Sequence, residues 1–175
     1  VVGISHPKSV AAQLRIKTGD RIDSWNGKRV ANFEQIEELY ESTKEGDVVR
    51  LEVFSGNALV PLTFKKGVAG HSLGDDTGIY SSEMFVDKVV RGSPAESIGL
   101  LPGDRIVAID QKPVLSFFEL RDRVQKAGET TGKLSLSYEH NGLLVHKEVV
   151  PSASTTRDPD LGKTKQFTVG IYPLL

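Results

Sequence analysis

The segment TGDRIDSWNGK, from Thr18 to Lys28, recurs as PGDRIVAIDQK, from Pro102 to Lys112. The two segments are 84 residues apart, and in the first copy this spacing holds without a gap from Ser9 to Phe33. A period of this length exceeds the roughly 20–50 residues of solenoid repeats. It predicts two tandem domains instead, each small enough to be marginally stable alone.

Each copy predicts the same order of elements. A short strand leads to a short helix, a turn at the Gly-Asp pair, a second strand, a longer helix and a β-hairpin. In the first copy Ser9 and Asn32 are placed as helix N-caps, and Asn26-Gly27 is a strong two-residue hairpin signal. Ser116 is the corresponding cap of the longer helix in the second copy. Each copy is therefore expected to be an α+β unit of short antiparallel strands with one short and one longer helix.

A second repeat lies outside this spacing. The tripeptide Gly-Ile-Tyr occurs at residues 78–80 and again at residues 170–172, in each case after a polar stretch. In the first copy this stretch, GVAGHSLGDD, is interpreted as a flexible connector. Because the Gly-Ile-Tyr strand closes each copy, we predict one domain at residues 1–83 and a second at residues 84–175.

Composition and charge exclude several classes of protein. The net charge is −1, whereas a general nucleic-acid binder usually carries a basic stripe. The absence of cysteine excludes a disulfide framework and a thiolate metal site. No apolar run approaches the roughly 20 residues that span a bilayer. Since the only methionine is Met84, we interpret the chain as a piece of a longer protein, and we expect the piece to be monomeric.

Two long segments of the sequence resemble bacterial PDZ domains. The match is close for SPAESIGLLPGDRIVAIDQKPVLSFFELRDRV and looser for SVAAQLRIKTGDRIDSWNGKRVANFEQIEELY. The Gly-Ile-Tyr segment ends each copy, as in a circularly permuted PDZ domain. Two such domains in tandem, the second ending in FTVGIYP, resemble the extracytoplasmic insert of site-2 proteases of the regulator of sigma E family. The resemblance implies two tandem PDZ domains, each a small antiparallel β-sandwich or open barrel.

This resemblance implies a peptide-binding groove in each domain. An extended peptide, usually a free C-terminus, adds as a strand between the glycine segment and the longer helix. The residues implied for this role are Gly78, Ile79, Tyr80, Ile36 and Tyr40 in the first domain and Gly170, Ile171, Tyr172, Leu120 and Val124 in the second.

The charges beside the two glycine segments differ. Asp75 and Asp76 precede the first, where they would repel a ligand carboxylate, whereas Lys163 and Lys165 precede the second, where they would attract one. Pro173 has no N–H and removes one backbone donor directly after the second segment. We expect the second domain to be the better receptor for a free carboxylate.

For the parent protein, the resemblance implies a membrane-embedded zinc metalloendopeptidase. This chain has no His-Glu-x-x-His and no Gly-x-Ser-x-Gly motif, so we expect no catalytic residue and no cofactor in it, and zinc only in the parent. The implied role is a regulatory filter on the periplasmic face of the bacterial inner membrane, between flanking membrane segments. It would admit trimmed single-span substrates, such as an anti-sigma factor, to regulated intramembrane proteolysis. The alternative is a peptide-binding region of a periplasmic trypsin-like protease, or a non-enzymatic scaffold.

Overall fold

The chain folds as two units of related architecture. The computed structural model describes residues 1–68 and 70–175. One unit comprises Val1–Ser82 together with Leu175, and the other comprises Glu83–Leu174. Each has its own core of buried apolar side chains, and the strand pairs of the described residues are antiparallel. The predicted α+β class is confirmed.

The first unit follows the predicted order of elements. Its strands and helices are β1 (Val2–Ile4), α1 (Val10–Gln13), β2 (Arg21–Trp25), β3 (Lys28–Arg29), α2 (Phe33–Ser42), β4 (Val48–Ser55), β5 (Ala58–Lys65), α3 (Leu73–Thr77) and β6 (Ile79–Ser81). One sheet has the strand order β3-β2-β4-β5, and β1 pairs with β6 in a second sheet.

The second unit, which a short 3-10 helix at Ser82–Met84 precedes, repeats this plan with one change near its end. Its elements are β7 (Val86–Val89), α4 (Pro94–Ser97), β8 (Arg105–Ile109), β9 (Lys112–Pro113), α5 (Phe117–Glu129), β10 (Leu134–His140), β11 (Leu143–Val149), β12 (Ser152–Asp158), β13 (Gly162–Thr168) and β14 (Ile171–Pro173). The order β11-β10-β8-β9 matches the larger sheet of the first unit, and β14 pairs with β7 as β6 pairs with β1. Where the first unit has helix α3, the second has the hairpin β12–β13.

Local sequence signals account for the helix starts. Each predicted cap accepts a hydrogen bond from the backbone N–H three residues later, and Ser9 and Ser93 do so at the starts of α1 and α4. Asn32 and Ser116 cap α2 and α5 in the same way. These bonds satisfy N–H groups that a helix leaves unpaired in its first turn.

The repeated Gly-Asp pair forms a turn before the second strand of each unit. Asp20 is buried and accepts a hydrogen bond from the N–H of Lys17, and Asp104 is buried and accepts one from Leu101. The glycine before each aspartate has a positive φ, which glycine adopts without steric cost. These aspartates therefore stabilise the turn, which explains why the Gly-Asp motif occurs in both units.

Two polar stretches form regular structure that the sequence pattern does not predict. Helix α3 begins after the N-cap Ser72, so the interpretation of GVAGHSLGDD as a flexible connector is wrong for its last four residues, 73–76. Residue 69 of the same stretch lies outside the described residues. The stretch at the end of the second unit forms the hairpin β12–β13, in which most side chains are exposed.

Candidate functional site

A cavity of about 720 Å³ lies along helix α5 in the second unit. It is lined on one side by this helix and on the other by β13 and the beginning of β14. The apolar lining residues are Phe117, Leu120, Val124, Phe167, Val169 and Ile171. Phe118, which is 79% exposed, also lines it. The cavity is therefore a slot between a helix and a strand, with apolar side chains on both walls and a lining that is polar and apolar in about equal parts.

Strand β14 offers a free edge beside this slot. It pairs with β7, with Ile171 opposite Val89, and in the described part of the chain no second strand pairs with it. Ile171 also lines the slot. An extended chain could add to this edge as a further strand, because unpaired backbone N–H and C=O groups are a template for strand pairing. Pro173 removes one donor from the edge.

Charged side chains of both signs line the slot. Arg121 and Lys165 supply positive charge. Asp122 also lines it, but its carboxylate is paired with Lys126 at 2.8 Å. Lys163 lies nearer the end of the hairpin, opposite Arg157, and is outside the lining. Of the two lysines expected to attract a ligand carboxylate, the structure therefore brings one to the slot.

The corresponding part of the first unit is filled by a polar network. Tyr40 is fully buried, and its hydroxyl donates a hydrogen bond to Asp76. Burial, and then this hydrogen bond, raise the pKa of Tyr40 well above its ordinary value. His71 Nδ1 lies 3.0 Å from the other carboxylate oxygen of Asp76. The Lys66 ammonium donates to the Tyr40 carbonyl and lies 4.3 Å from the centre of the Tyr40 ring. Asp76 thus packs against helix α2 as an internal acceptor.

The recurring glycines have a packing role in both units. Gly78 and Gly170 have φ values of +76° and +85°. A Cβ at Gly78 would lie 2.5 Å from Cβ of Ser9, and one at Gly170 would lie 2.2 Å from Cβ of Ser93. These serines are the N-caps of the short helices. Glycine is therefore required where the last strand passes the start of the short helix, whether or not a ligand approaches.

Comparison with known proteins agrees with this geometry. The family model described as "PDZ domain" matches residues 85–131. A protein named "Putative zinc metalloprotease" from Neisseria meningitidis is 31% identical over 181 residues, which cover 98% of this chain and 39% of that protein. The regulator of sigma E protease of Haemophilus influenzae is 31% identical over 97% of this chain and 38% of its own length.

This chain is a PDZ protein related to the regulator of sigma E protease. The resemblance seen in the sequence is thereby confirmed. A second kind of relative is the periplasmic serine endoprotease DegP of Salmonella typhimurium, which is 30% identical over 66% of this chain and 27% of its own length. The chain spans about two fifths of the length of the Neisseria and Haemophilus relatives.

The predicted groove residues do not all lie at one site. In the second unit Leu120, Val124 and Ile171 meet at the slot. Gly170 and Tyr172 line a neighbouring cavity of about 390 Å³, which Ile171 also reaches. In the first unit the predicted Ile36, Tyr40 and Ile79 lie in the hydrophobic core, Gly78 packs on Ser9, and the ring of Tyr80 lies against Gly74.

Among the slot residues that sequence reasoning did not propose, three matter most to the site: Phe118, Gln125 and Phe167. No sequence pattern distinguishes Phe118 from other exposed helix residues. Phe167 belongs to a hairpin that was not predicted because its sequence is mostly polar. Gln125 bonds the backbone of that hairpin. The helical spacing of Phe117, Leu120 and Val124 indicates the correct helix face, but the strand opposite it has to be known before these three residues become candidates.

The family name of the relatives raises the question of zinc. Within residues 1–68 and 70–175, no group of three or more His, Cys, Asp or Glu side chains is placed to hold a metal ion. The residues of this chain do not fit a zinc site, and no chemical step is assigned to zinc here. Among the same residues, no helix is both long and apolar enough to cross a bilayer.

Proposed function

We propose that this chain is the substrate-gating PDZ region of a membrane-embedded zinc metalloprotease. Each of the two units, predicted at residues 1–83 and 84–175, would be one permuted PDZ domain. The observation that carries the proposal is the slot between α5 and the free edge of β14, which has apolar side chains on both walls, in a chain that aligns over 98% of its length with a protein named as a zinc metalloprotease.

In this proposal an extended peptide enters the slot as an additional strand. Its backbone pairs with the edge of β14, and an apolar side chain contacts Leu120, Val124 and Ile171. Phe118 at the mouth covers a second side chain of the peptide. Main-chain bonds give affinity and the apolar pocket gives selectivity, as in strand-addition recognition generally.

The second unit is the proposed receptor, and the first unit is proposed to act mainly as a scaffold. Arg121 and Lys165 line the slot of the second unit and favour a ligand carboxylate, whereas the two acidic side chains of the lining are engaged, Asp122 with Lys126 and Glu129 with Gln125. In the first unit, Tyr40 of α2 and Asp76 of α3, the short helix that precedes β6, bond each other. A peptide would have to break this buried hydrogen bond before it could enter, which would leave polar groups unpaired at a cost of about 1–3 kcal/mol.

For the parent protein we propose a periplasmic filter above a zinc active site that lies outside this chain. The tandem would exclude substrates that keep a bulky outer domain and admit trimmed ones, with flanking membrane segments holding it in place. The similarity to DegP favours one alternative, a peptide-binding arm of a periplasmic serine protease. Residues adjoining this chain in the parent distinguish the two: His-Glu-x-x-His in an apolar segment supports the metalloprotease, and Gly-Asn-Ser-Gly-Gly upstream supports the serine protease.

Fluorescence anisotropy tests peptide binding directly. The probes are fluorescein-labelled octapeptides of serine and threonine that end in valine, leucine, isoleucine or phenylalanine, titrated with the 175-residue chain. Phe118→Ala should weaken binding by about tenfold, since aromatic side chains are enriched among the contact residues whose truncation costs more than about 1 kcal/mol. Leu115→Ala is the matched control, because Leu115 is 78% exposed but lies outside the slot lining. Absence of binding by all four probes, or an equal effect of both substitutions, would contradict the proposal.

A further inference from the structure

Gln125 makes an unusual set of hydrogen bonds at the slot. Its Nε2 donates to the carbonyl of Lys165 at 3.0 Å, and its Oε1 accepts from the N–H of Phe167 at 2.9 Å. The same Nε2 donates to Glu129 at 2.7 Å. Glu129 therefore fixes the orientation of the carboxamide, because a flipped amide would place its oxygen against two other oxygens.

This carboxamide takes the place of a strand residue. The carbonyl of one residue and the N–H two residues later lie on the same edge of a strand, and a single residue of a parallel neighbour bonds both. The glutamine side chain carries the same donor and acceptor as a peptide unit. Helix α5 thus pairs the open edge of β13 with its own side chain at Lys165 and Phe167.

Packing holds the strand against the helix at the same point. A Cβ at Gly128 of α5 would lie 2.2 Å from the ring of Phe167, so the ring lies directly on the helix backbone. Gln125 and Phe167 both line the slot that Val124 and Ile171 also line. The open edge does not continue unbroken from β14, because Gly170 has a left-handed φ and the Val169 carbonyl already accepts from the N–H of Ala95; beyond that turn, the edge of β13 is occupied at Phe167.

The direction of a bound peptide determines which of its ends meets the strand edge that Gln125 occupies. A peptide that adds antiparallel to β14 runs with its C-terminal end towards Gly170 and then towards β13, because β13 precedes β14 in the chain. Residues beyond the pocket would need the carbonyl of Lys165 and the N–H of Phe167, and both are already bonded to Gln125.

We propose that Gln125 is a specificity-determining residue that ends the peptide groove, so that the groove accepts a chain end and rejects an internal segment. This inference rests on the proposed peptide-binding function. In this inference the preference for a chain end has two sources. One is the positive charge of Lys165, and the other is the Gln125 side chain of α5, which occupies the strand edge that a longer peptide would need.

The test compares two peptides on the full chain and its variants. One is the tightest of the four chain-end octapeptides, and the other is the same octapeptide extended by four serines at its C-terminus. Wild type should bind the chain-end form more tightly. Gln125→Ala, and Gln125→Met, which keeps the length of the side chain, should each raise affinity for the extended form by roughly tenfold, the value of about one hydrogen bond. Affinity for the chain-end form should stay nearly constant.

Hydrogen exchange supplies a readout that needs no peptide. Both Gln125 variants should accelerate exchange of the Phe167 amide, because that N–H loses its acceptor. Lys126→Arg is the matched control on the same helix, since Lys126 lies outside the slot lining and arginine keeps the positive charge that pairs with Asp122, and it should change neither readout.

Three outcomes would overturn the inference. Equal affinity of wild type for both peptides shows that the groove does not end at Gln125. Faster exchange of Phe167 without a gain for the extended peptide shows that Gln125 only holds the hairpin. Absence of binding by every form removes the proposed function itself, and this inference with it, whereas in the first two outcomes the proposed function stands.

Discussion

Gly78 and Gly170 show how two copies of one motif are constrained by the same contact. Each has a left-handed φ, and each passes the N-cap serine of a short helix at a distance that leaves no room for a Cβ. The glycine of Gly-Ile-Tyr is thus required in both units by packing, even though the surroundings of the two strands differ. The recurrence of this glycine therefore does not by itself indicate a ligand site.

Replacement of Gly170 by alanine tests that contact. A non-glycine residue with left-handed φ costs roughly 1–2 kcal/mol, and overpacking costs about 1–3 kcal/mol more. Gly162→Ala is the control, because Gly162 also has a positive φ but nothing lies within 4 Å of its missing Cβ. In urea unfolding, Gly170→Ala should therefore lose clearly more free energy of unfolding than Gly162→Ala. Equal losses would show that the contact with Ser93 is unimportant.

The Tyr40 hydroxyl gives a second prediction at the residue scale. Tyr40→Phe leaves the buried side of Asp76 without a donor, which should cost about 1–3 kcal/mol of free energy of unfolding. Tyr172→Phe is the control, since Tyr172 is 60% exposed, and it should change stability little. Equal stability of the two variants would contradict the role assigned to the hydrogen bond.

The raised pKa of Tyr40 also predicts a pH dependence. The folded chain holds the phenolic proton more tightly than the unfolded chain, whose tyrosine pKa is about 10. This contribution to stability is fully present below about pH 10 and is lost as pH rises through the folded pKa. The free energy of unfolding of wild type should therefore fall more steeply above pH 10 than that of Tyr40→Phe. Parallel curves for the two proteins would refute the assignment.

At the scale of elements, local signals determine what could be predicted from the sequence. Caps such as Asn32 and turns such as Asn26-Gly27 act within a few residues, and the structure confirms them. Helix α3 and hairpin β12–β13 could not be found in this way. The helix has five residues, and the hairpin is polar on both faces. Both elements depend on contacts with the longer helix of their unit, and such contacts cannot be inferred from the spacing of apolar residues in the sequence.

Gly128 provides a prediction for the contact between α5 and the hairpin. In an isolated helix, Gly128→Ala should stabilise by about 0.5–1 kcal/mol. Here the new methyl group would meet the ring of Phe167, and overpacking should reverse the sign, with a loss of about 1–3 kcal/mol. Thermal and urea unfolding measure the difference. Adding Phe167→Ala in the same chain should restore the benefit of alanine relative to Phe167→Ala alone. A stabilised single variant would contradict the contact.

At the scale of the whole molecule, one duplicated framework carries two different closing segments. The larger sheets, the caps and the Gly-Asp turns repeat from unit to unit. The segment before the last strand differs: a short helix with Asp76 in the first unit, and a long hairpin with Phe167 in the second. Sequence reasoning predicted that the longer helices and the last strands are groove walls. It could not foresee that burial of Tyr40 fills one gap, since that depends on Asp76 in the unpredicted helix.

The division into two units predicts independent folding. Peptides of residues 1–83 and 84–175 each contain a complete core cluster, so each should unfold cooperatively in urea with dispersed amide resonances. A random-coil spectrum for either fragment would show that its core is insufficient alone, and would contradict two separate PDZ domains.

Amide chemical-shift mapping tests the central claim most directly. The isotopically labelled 175-residue chain is titrated with the valine-ended octapeptide. The account predicts saturable shifts at Val169–Ile171 and along α5, with little change around Tyr40 in the first unit. Shifts centred on α2 and β6, or none in either unit, would contradict the claim that the slot of the second unit is the peptide receptor.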